Sequence, residues 1–261
     1  MDSICKEIRK NILKISMESK QGHIPTSFSI IECLVAVYQS IRHNPKQPDW
    51  QERDLFVLSK GHASLGLYAV LDHFGYFKNH DIRTFGAFGS IFGCHPDRNK
   101  VPGIEASTGS LGHGIGLALG MAFGLKLHKS NRKVITLIGD GESNEGTIWE
   151  AFQVAENLNL FNFLVIIDYN QSQGRCLPLI MPVKKLQAFG WETCEIDGHN
   201  LNELKSEIPK PHNRPKVIIA HTKKGYGCKT LENNYFEWHR KSPTQKQLKQ
   251  LIAELKDPNT A

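Results

Sequence analysis

The chain has no long apolar run. No stretch reaches the ~20 residues that a helix needs to span a bilayer, so a helical membrane anchor is not expected. The uninterrupted apolar segment of a secretory leader is missing too, because Asp2, Lys6, Glu7, Arg9 and Lys10 occupy the first turns. A cytoplasmic location is the expectation. Paired cysteines are also lacking: Cys5, Cys33, Cys94, Cys176, Cys194 and Cys228 include no C-x-x-C spacing, which leaves a zinc cluster or a redox dithiol without support and reads as reduced thiols. There is no repeat and no low-complexity tract. Charge of one sign is scarce as well, since 32 basic and 26 acidic residues give a net +6 that is spread along the chain. The C-terminal lysines Lys241, Lys246 and Lys249 read as a solvated helix face. This distribution argues against nucleic acid and fits anionic small molecules better.

What is present is ordinary globular material: 261 residues, 40% hydrophobic and 22% charged, enough for a large α/β core. Ile4, Ile8, Ile12 and Ile15 form one helical stripe. After a break at 21–25, Thr26 or Ser27 is placed to cap a second helix over 28–41. Residues 55–58 read as a buried strand that feeds a turn and a helix over 65–74. Residues 85–108, rich in Gly and Pro, read as a long loop, and such loops are uncommon without a function. Gly112, Gly114, Gly116 and Gly120 lie on a small-residue helix. Strands follow at 133–138 and 163–167, with a helix over 145–160 whose Trp149, Phe152 and Ala155 face the core. Weaker strands are expected at 191–196 and 217–220, and a final helix at 245–255. Strands alternating with helices predict one α/β domain over 1–261, a mostly parallel twisted sheet with helices on both faces.

Ligands of such sheets gather at the carboxyl ends of the strands, where Asp140 and Asn170 fall. In Gly139-Asp140-Gly141 the glycines let backbone approach a ligand while the carboxylate projects from the strand end. Glu142 and Glu145 lie in or near the first turn of the next helix, where negative charge is favoured. Asn170 stands 170 − 140 = 30 residues on, at the end of the following strand. Either feature alone is an ordinary turn. Together they offer a carboxylate and an amide oxygen, a hard-oxygen pair suited to Mg²⁺ that shares its shell with phosphate. Five of the 12 histidines also stand out: His23, His62 and His95 adjoin glycine in turns or lie close to it, His113 sits between two glycines, and His239 follows an aromatic stretch.

The joint pattern resembles the thiamine-diphosphate enzymes, and within them transketolase, most of all the N-terminal half of the split, two-subunit form. The resembling stretches are QGHIPTS (21–27), RDLFVLSKGHASLGLYAVL (53–71), GCHPD (93–97), PGIEASTGSLGHGIGLALGMA (102–122), GDGESNEGTIWEA (139–151), IIDYNQSQ (166–173) and ENNYFEWHRKSP (232–243). The resemblance implies a thiamine diphosphate and Mg²⁺ site, with Ca²⁺ or Mn²⁺ able to substitute. Asp140, Asn170 and the backbone carbonyl of Ser172 match its metal ligands. Gly139, Gly141, His62 and His239 match positions at the cofactor, and Gly109 and Leu111 match residues that support its rings. His23, His62, His95 and His239 match histidines near the substrate, which at an ordinary pKa near ~6.5 could move protons at neutral pH. Glu145 matches a glutamate that links across the subunit interface to the activating glutamate.

The implied reaction moves a two-carbon ketol unit from a ketose to an aldose, with the cofactor as electron sink. The activating glutamate belongs to a pyrimidine-binding domain for which 261 residues leave no room, so an α₂β₂ assembly with a second chain is expected. Arg240 stands where the family often has Gly, Gln171 where a second Asn is common, and His113 where one-chain transketolases often have Gln. Four other readings compete. They are the α subunit of a 2-oxo-acid dehydrogenase's decarboxylating component, a 1-deoxyxylulose-5-phosphate-synthase relative, a non-catalytic subunit that kept the fold, and a dinucleotide binder. The glycines near 109–116 suit the last poorly, because they follow a loop instead of a strand.

Overall fold

The apolar runs of the sequence become strands whose side chains alternate between two cores. Phe56, Leu58, Ile135, Leu137, Leu164, Ile166 and Ile218 enter one buried cluster. Their chain neighbours Leu55, Val57, Val134, Ile138, Phe163, Val165 and Val217 enter another. This period of two is what a sheet covered on both faces requires. The computed structural model describes residues 1–174 and 176–256. The last five residues of the expected 1–261 domain therefore lie outside the described residues.

In chain order the elements are α1 (Ser3–Ser19), α2 (Ile24–Ser29), α3 (Ile31–Ser40), β1 (Leu55–Leu58), α4 (Ser64–His73) and α5 (His113–Leu127). They continue with β2 (Val134–Gly139), α6 (Gly146–Asn157), β3 (Phe163–Tyr169), α7 (Pro182–Ala188) and β4 (Glu192–Asp197). The last are α8 (Leu201–Glu207), β5 (Lys216–His221), α9 (Lys229–Asn233) and α10 (Gln245–Lys256). The five strands form one sheet in the order β1-β2-β3-β5-β4, all parallel. Helices α1–α4 contribute to the first core and α5–α7 to the second, so the expected α/β architecture with helices on both faces is the one observed. Among the described residues no helix is long and apolar enough to cross a membrane.

Two local expectations are corrected. The helix after the 21–25 break starts at Ile24 with His23 as its N-cap and no side-chain cap, so Thr26 and Ser27 lie inside it. Pro25 in the first turn presets helical φ and moves the start upstream. The helix expected over 28–41 is also broken, at Ile30. There the one proton of the Ser29 hydroxyl is shared between the Thr26 carbonyl at 3.0 Å and a carboxylate, that of Asp168, at 2.9 Å, a competition with the helix ladder that serine side chains can mount.

Helix α1 begins where Asp2 accepts from the Ile4 backbone N–H at 2.8 Å, and it buries Ile8, Ile12 and Ile15 as the stripe predicts. The same helix sinks Arg9 into the core beside Glu32 of α3, both nearly solvent-free. The guanidinium donates to both Glu32 oxygens, at 2.5 and 2.7 Å. Burial pushes the Glu32 carboxyl up, but Arg9 and then His199 outweigh it and bring it down to about 2. A folded-state value below the unfolded one means that the stability of this pair is present above the unfolded value and lost as pH falls towards the folded one. Glu32→Gln is expected to cost about 3 kcal/mol at neutral pH, because it strands a buried cation. Urea titrations should show the deficit against wild type shrinking below about pH 4.5 and towards pH 2; a deficit constant over that window would refute the coupling.

Candidate functional site

Parallel register places the ends of β2 and β3 side by side, with Gly139 paired to Asp168. The chain leaves β2 at Asp140, whose backbone N–H donates to the Asp168 carbonyl at 3.2 Å. It leaves β3 at Asn170, and Gln171 then takes a left-handed φ of 55° that turns the Ser172 backbone N–H onto the Asn170 amide oxygen at 3.0 Å. Beside these ends lie the turn after β1 with Lys60 and His62, the segment after β5 with Lys224, and the N-terminus of α2 with His23. A cleft of about 520 Å³ opens there.

The cleft collects every residue singled out for the site from the sequence: His23, His62, His95, Gly109, Leu111, Gly139, Asp140, Gly141, Glu145, Asn170, Ser172 and His239. His113 is not among its lining residues; it is exposed, with Nδ1 3.1 Å from the Leu111 carbonyl oxygen. Trp149 packs against the second core as expected, half-buried, and donates Nε1–H to the Ser143 carbonyl. Glu142 does not act as a first-turn charge. A short 3-10 turn, Gly141–Asn144, precedes α6, and Glu142 folds back into the protein. There it accepts from the Ser59 hydroxyl at 2.6 Å and from the backbone N–H groups of Gly112 and Gly139 at 2.8 and 3.1 Å. It thereby ties the start of α5 to the ends of β1 and β2.

Sequence reasoning missed three cations and one anion. Lys60, Lys224 and Arg240 also line the cleft, Arg240 having been noticed only as a departure from the family pattern. Asp168 lies beneath it, fully buried. Lys60 pairs with Asp168 and donates to the Thr26 hydroxyl at 3.1 Å. The signal for Lys60 was its place directly after a buried strand, and for Asp168 an acid inside an apolar one.

The electrostatics of the cleft are opposed across its width. Burial first, then the charge of Asp168, pushes the Asp140 carboxyl up to about 6, although the Gly141 N–H and Lys60 pull the other way. Among the described residues Asp140 forms no ion pair, and its Oδ1 accepts from the Gly141 N–H at 2.8 Å. Lys224 is pushed down to about 8, first by burial and then by Lys60. Among the described residues its ammonium forms no ion pair; it donates to the Ser172 hydroxyl at 3.3 Å, stands over the Tyr235 ring at 5.7 Å and is only partly offset by the charges of Asp168 and Asp140. A metal-bound diphosphate brings a cation to the first and an anion to the second, so the residues present fit such a group. Among the described residues no cluster of three or more His, Cys, Asp or Glu side chains could hold a metal by itself. An ion here would rely on Asp140, the Asn170 amide, backbone carbonyls and oxygens of the ligand.

Three imidazoles crowd one wall. The ring centroids of His23 and His62 are 5.3 Å apart, those of His23 and His239 4.9 Å, and those of His62 and His239 6.0 Å. Burial first holds them below the ordinary histidine range, helped by His239 at His23, by Lys60 at His62 and by Lys224 and Arg240 at His239: His23 is pushed down to about 4 and His62 to about 2, and His239 is lowered as well. Each shift disfavours the charged form of its ring. A neutral ring both donates and accepts a hydrogen bond, which suits sugar hydroxyls.

Comparison with known proteins agrees with this geometry. The fold is that of a thiamine-diphosphate-binding α/β domain, and the family model for transketolase, thiamine diphosphate binding domain, matches residues 2–254. The chain belongs to that family. It is 35% identical over 258 residues to one of the subunits of the apulose-4-phosphate transketolase of Phocaeicola vulgatus, covering 95% of this chain and 91% of that one. It is 37% identical over 257 residues to the 6-deoxy-6-sulfo-D-fructose transketolase subunit SqwG of a Clostridium species, covering 95% and 93%. Among solved structures, transketolase from Campylobacter jejuni superposes with a TM-score of 0.86 at 28% identity, covering all of this chain and 44% of that one. The chain thus spans less than half the length of that solved transketolase.

Gly112 gives the most local test of how the cleft is built. Its φ is 81°, and a Cβ added there would stand 2.5 Å from Thr147 Oγ1 and 2.7 Å from Glu145 Cβ. Gly112→Ala is expected to cost about 2 kcal/mol or more through left-handed strain and the clash, measured by denaturant titration. A loss under ~0.5 kcal/mol would contradict the packing described.

Proposed function

We propose that this chain is the diphosphate-binding subunit of a two-subunit transketolase, which passes a two-carbon ketol unit from a ketose donor to an aldose acceptor. The observation that carries the reading is one cleft at the strand ends that collects the Asp140 carboxylate and Asn170 amide, neither the carboxylate nor the Lys224 ammonium in an ion pair among the described residues, together with the clustered imidazoles of His23, His62 and His239.

In this reading Asp140, Asn170 and the Ser172 carbonyl hold Mg²⁺, and Ca²⁺ or Mn²⁺ can substitute. Lys224, His62 and His239 face the diphosphate, while Gly139 and Gly141 let backbone approach it. Gly109 and Leu111 support the rings of the cofactor. When bound, thiamine diphosphate supplies the electron sink for carbon–carbon bond cleavage. The chain's own contribution is binding: His23, His62, His95 and His239 orient the sugar hydroxyls as hydrogen-bond partners. Glu145, at the exposed start of α6, reaches towards the chain that carries the activating glutamate.

The partner reading has its own support. Helix α5, HGIGLALGMAFGLKL, is apolar around its whole circumference, a pattern that belongs inside a structure. Its outer face is nevertheless bare. Leu117 and Leu127 are 46% and 65% exposed, and nothing stands within 4 Å of a Cβ built on Gly116, Gly120 or Gly124. Val154 and Phe161, on and just after α6, are exposed too. A surface of this kind marks a protein interface, and relatives carry the word subunit in their names. We assign it to the second transketolase chain, in an α₂β₂ complex acting in the cytoplasm on sugars or sugar phosphates. The histidine wall favours a sugar over a 2-oxo acid.

The test combines the chain with its partner subunit, thiamine diphosphate and Mg²⁺. Ketol transfer from a ketose is expected, and Asp140→Ala should abolish it together with Mg²⁺-dependent cofactor binding in calorimetry. Decarboxylation of 2-oxo acids without ketol transfer, or unchanged cofactor affinity in the variant, would overturn the assignment.

A further inference from the structure

Asp168 is the acceptor to which several elements converge. It is 0% exposed at the end of β3. Its Oδ1 accepts from the Thr222 hydroxyl that follows β5. Its Oδ2 accepts from the Ser29 hydroxyl at 2.9 Å, from the Lys60 ammonium, and from the Asn170 Nδ2 group at 2.7 Å. An ionised carboxylate accepts hydrogen bonds and donates none. Whatever part of the Asn170 side chain faces Asp168 must therefore be its NH₂ group.

The amide is planar and two-sided. With its nitrogen turned to Asp168, its oxygen is turned away, and one lone pair of that oxygen takes the Ser172 N–H at 3.0 Å. A carbonyl oxygen has a second lone pair. Asn170 lines the cleft beside Asp140, so that lone pair is the one a cation would use. Rotated by half a turn, the same amide would present N–H dipoles that repel a cation. An asparagine ligand thus needs something to choose its face, a need that an aspartate ligand does not have.

We propose that Asp168, paired with Lys60, is the positioning residue that selects the metal-binding face of Asn170. The proposal rests on the reading of Asp140 and Asn170 as cation ligands and adds a residue that never touches the ion. Groups that orient metal ligands in this way typically change metal affinity by about 10–100-fold when removed.

The test removes the buried pair without altering net charge. In Lys60→Met with Asp168→Leu, one positive and one negative charge leave together, so the field on the ion changes little and the interior gains side chains of similar volume. Mn²⁺ binding is read by electron paramagnetic resonance on the chain combined with thiamine diphosphate and the second transketolase chain, while folding is followed by thermal melts. The double variant is expected to fold and to bind Mn²⁺ at least about tenfold more weakly. Adding Asn170→Asp to it should restore the affinity, because a carboxylate offers oxygen on either face.

In the native background Asn170→Asp should do the opposite. It sets two carboxylates against each other and is expected to weaken Mn²⁺ binding, a result that remains available if the double variant does not fold. Wild-type affinity in the double variant, no recovery on adding Asn170→Asp, or tighter binding from Asn170→Asp alone would each overturn the proposal. A wild-type complex that binds no Mn²⁺ would instead overturn the metal-site reading on which the proposal stands.

Discussion

One buried ion pair holds this site together. Lys60 follows β1 and Asp168 ends β3, with β2 running between them, and their contact crosses beneath the end of β2 where Asp140 emerges. Without Lys60, Asp168 would be a bare charge in the interior, where burial alone drives its carboxyl up. With Lys60 first, and the Thr222 and Ser29 hydroxyls after it, the carboxyl is held below the usual range. The charge of Asp168, partly offset by that of Lys60, adds to burial in raising the Asp140 carboxyl. Buried pairs of this kind seldom add much net stability over apolar packing. Their position here, under a ligand cleft, accounts for them better.

The rest of the cleft follows from topology. Parallel strands all end at the same edge, so the segments after β1, β2, β3 and β5 are neighbours although they are far apart in the chain. Four strand ends deliver Lys60 and His62, Asp140, Asn170 and Lys224 to one place. Helix α2 adds His23 and Thr26, and the segment before α10 adds His239 and Arg240. Burial then does chemical work on what has been gathered: it strips the charge from the imidazoles, raises the acid and lowers the amine. Each shift disfavours the charged form of a group whose neighbours do not yet compensate it. The cleft is, in electrostatic terms, shaped for something that carries both signs.

Much of this was legible in the sequence. Strands such as Val134–Gly139 and Phe163–Tyr169 are short apolar runs closed by Gly, Asp or Asn, and their burial on both faces leaves no other reading. The spacing from Asp140 to Asn170 was readable because one strand–helix–strand unit has a limited length. Other features were out of reach. The break at Ile30 lies within an unbroken apolar periodicity, and it arises from a hydroxyl that bonds a residue 139 positions away. Lys60 and Asp168 are 108 positions apart, and the pairing of two charges inside a core becomes visible only once strand order is known. Glu142 could be placed at a helix start but not turned inward, because that depends on the backbone N–H groups of Gly112 and Gly139 pointing at it. The lowered affinity of the histidines for protons was hidden for the same reason, since crowding is a property of three segments brought together.

The central claim is that Asp140 and Asn170 share one hard cation with a bound diphosphate. Crystals of the two-subunit complex grown with thiamine diphosphate and Mn²⁺, with anomalous scattering recorded at the manganese edge, test it most directly. A single anomalous peak is predicted about 2.1 Å from the Asp140 carboxylate, the Asn170 amide oxygen and the Ser172 carbonyl. Cofactor density with no peak there, or a peak held by other side chains, would contradict the account.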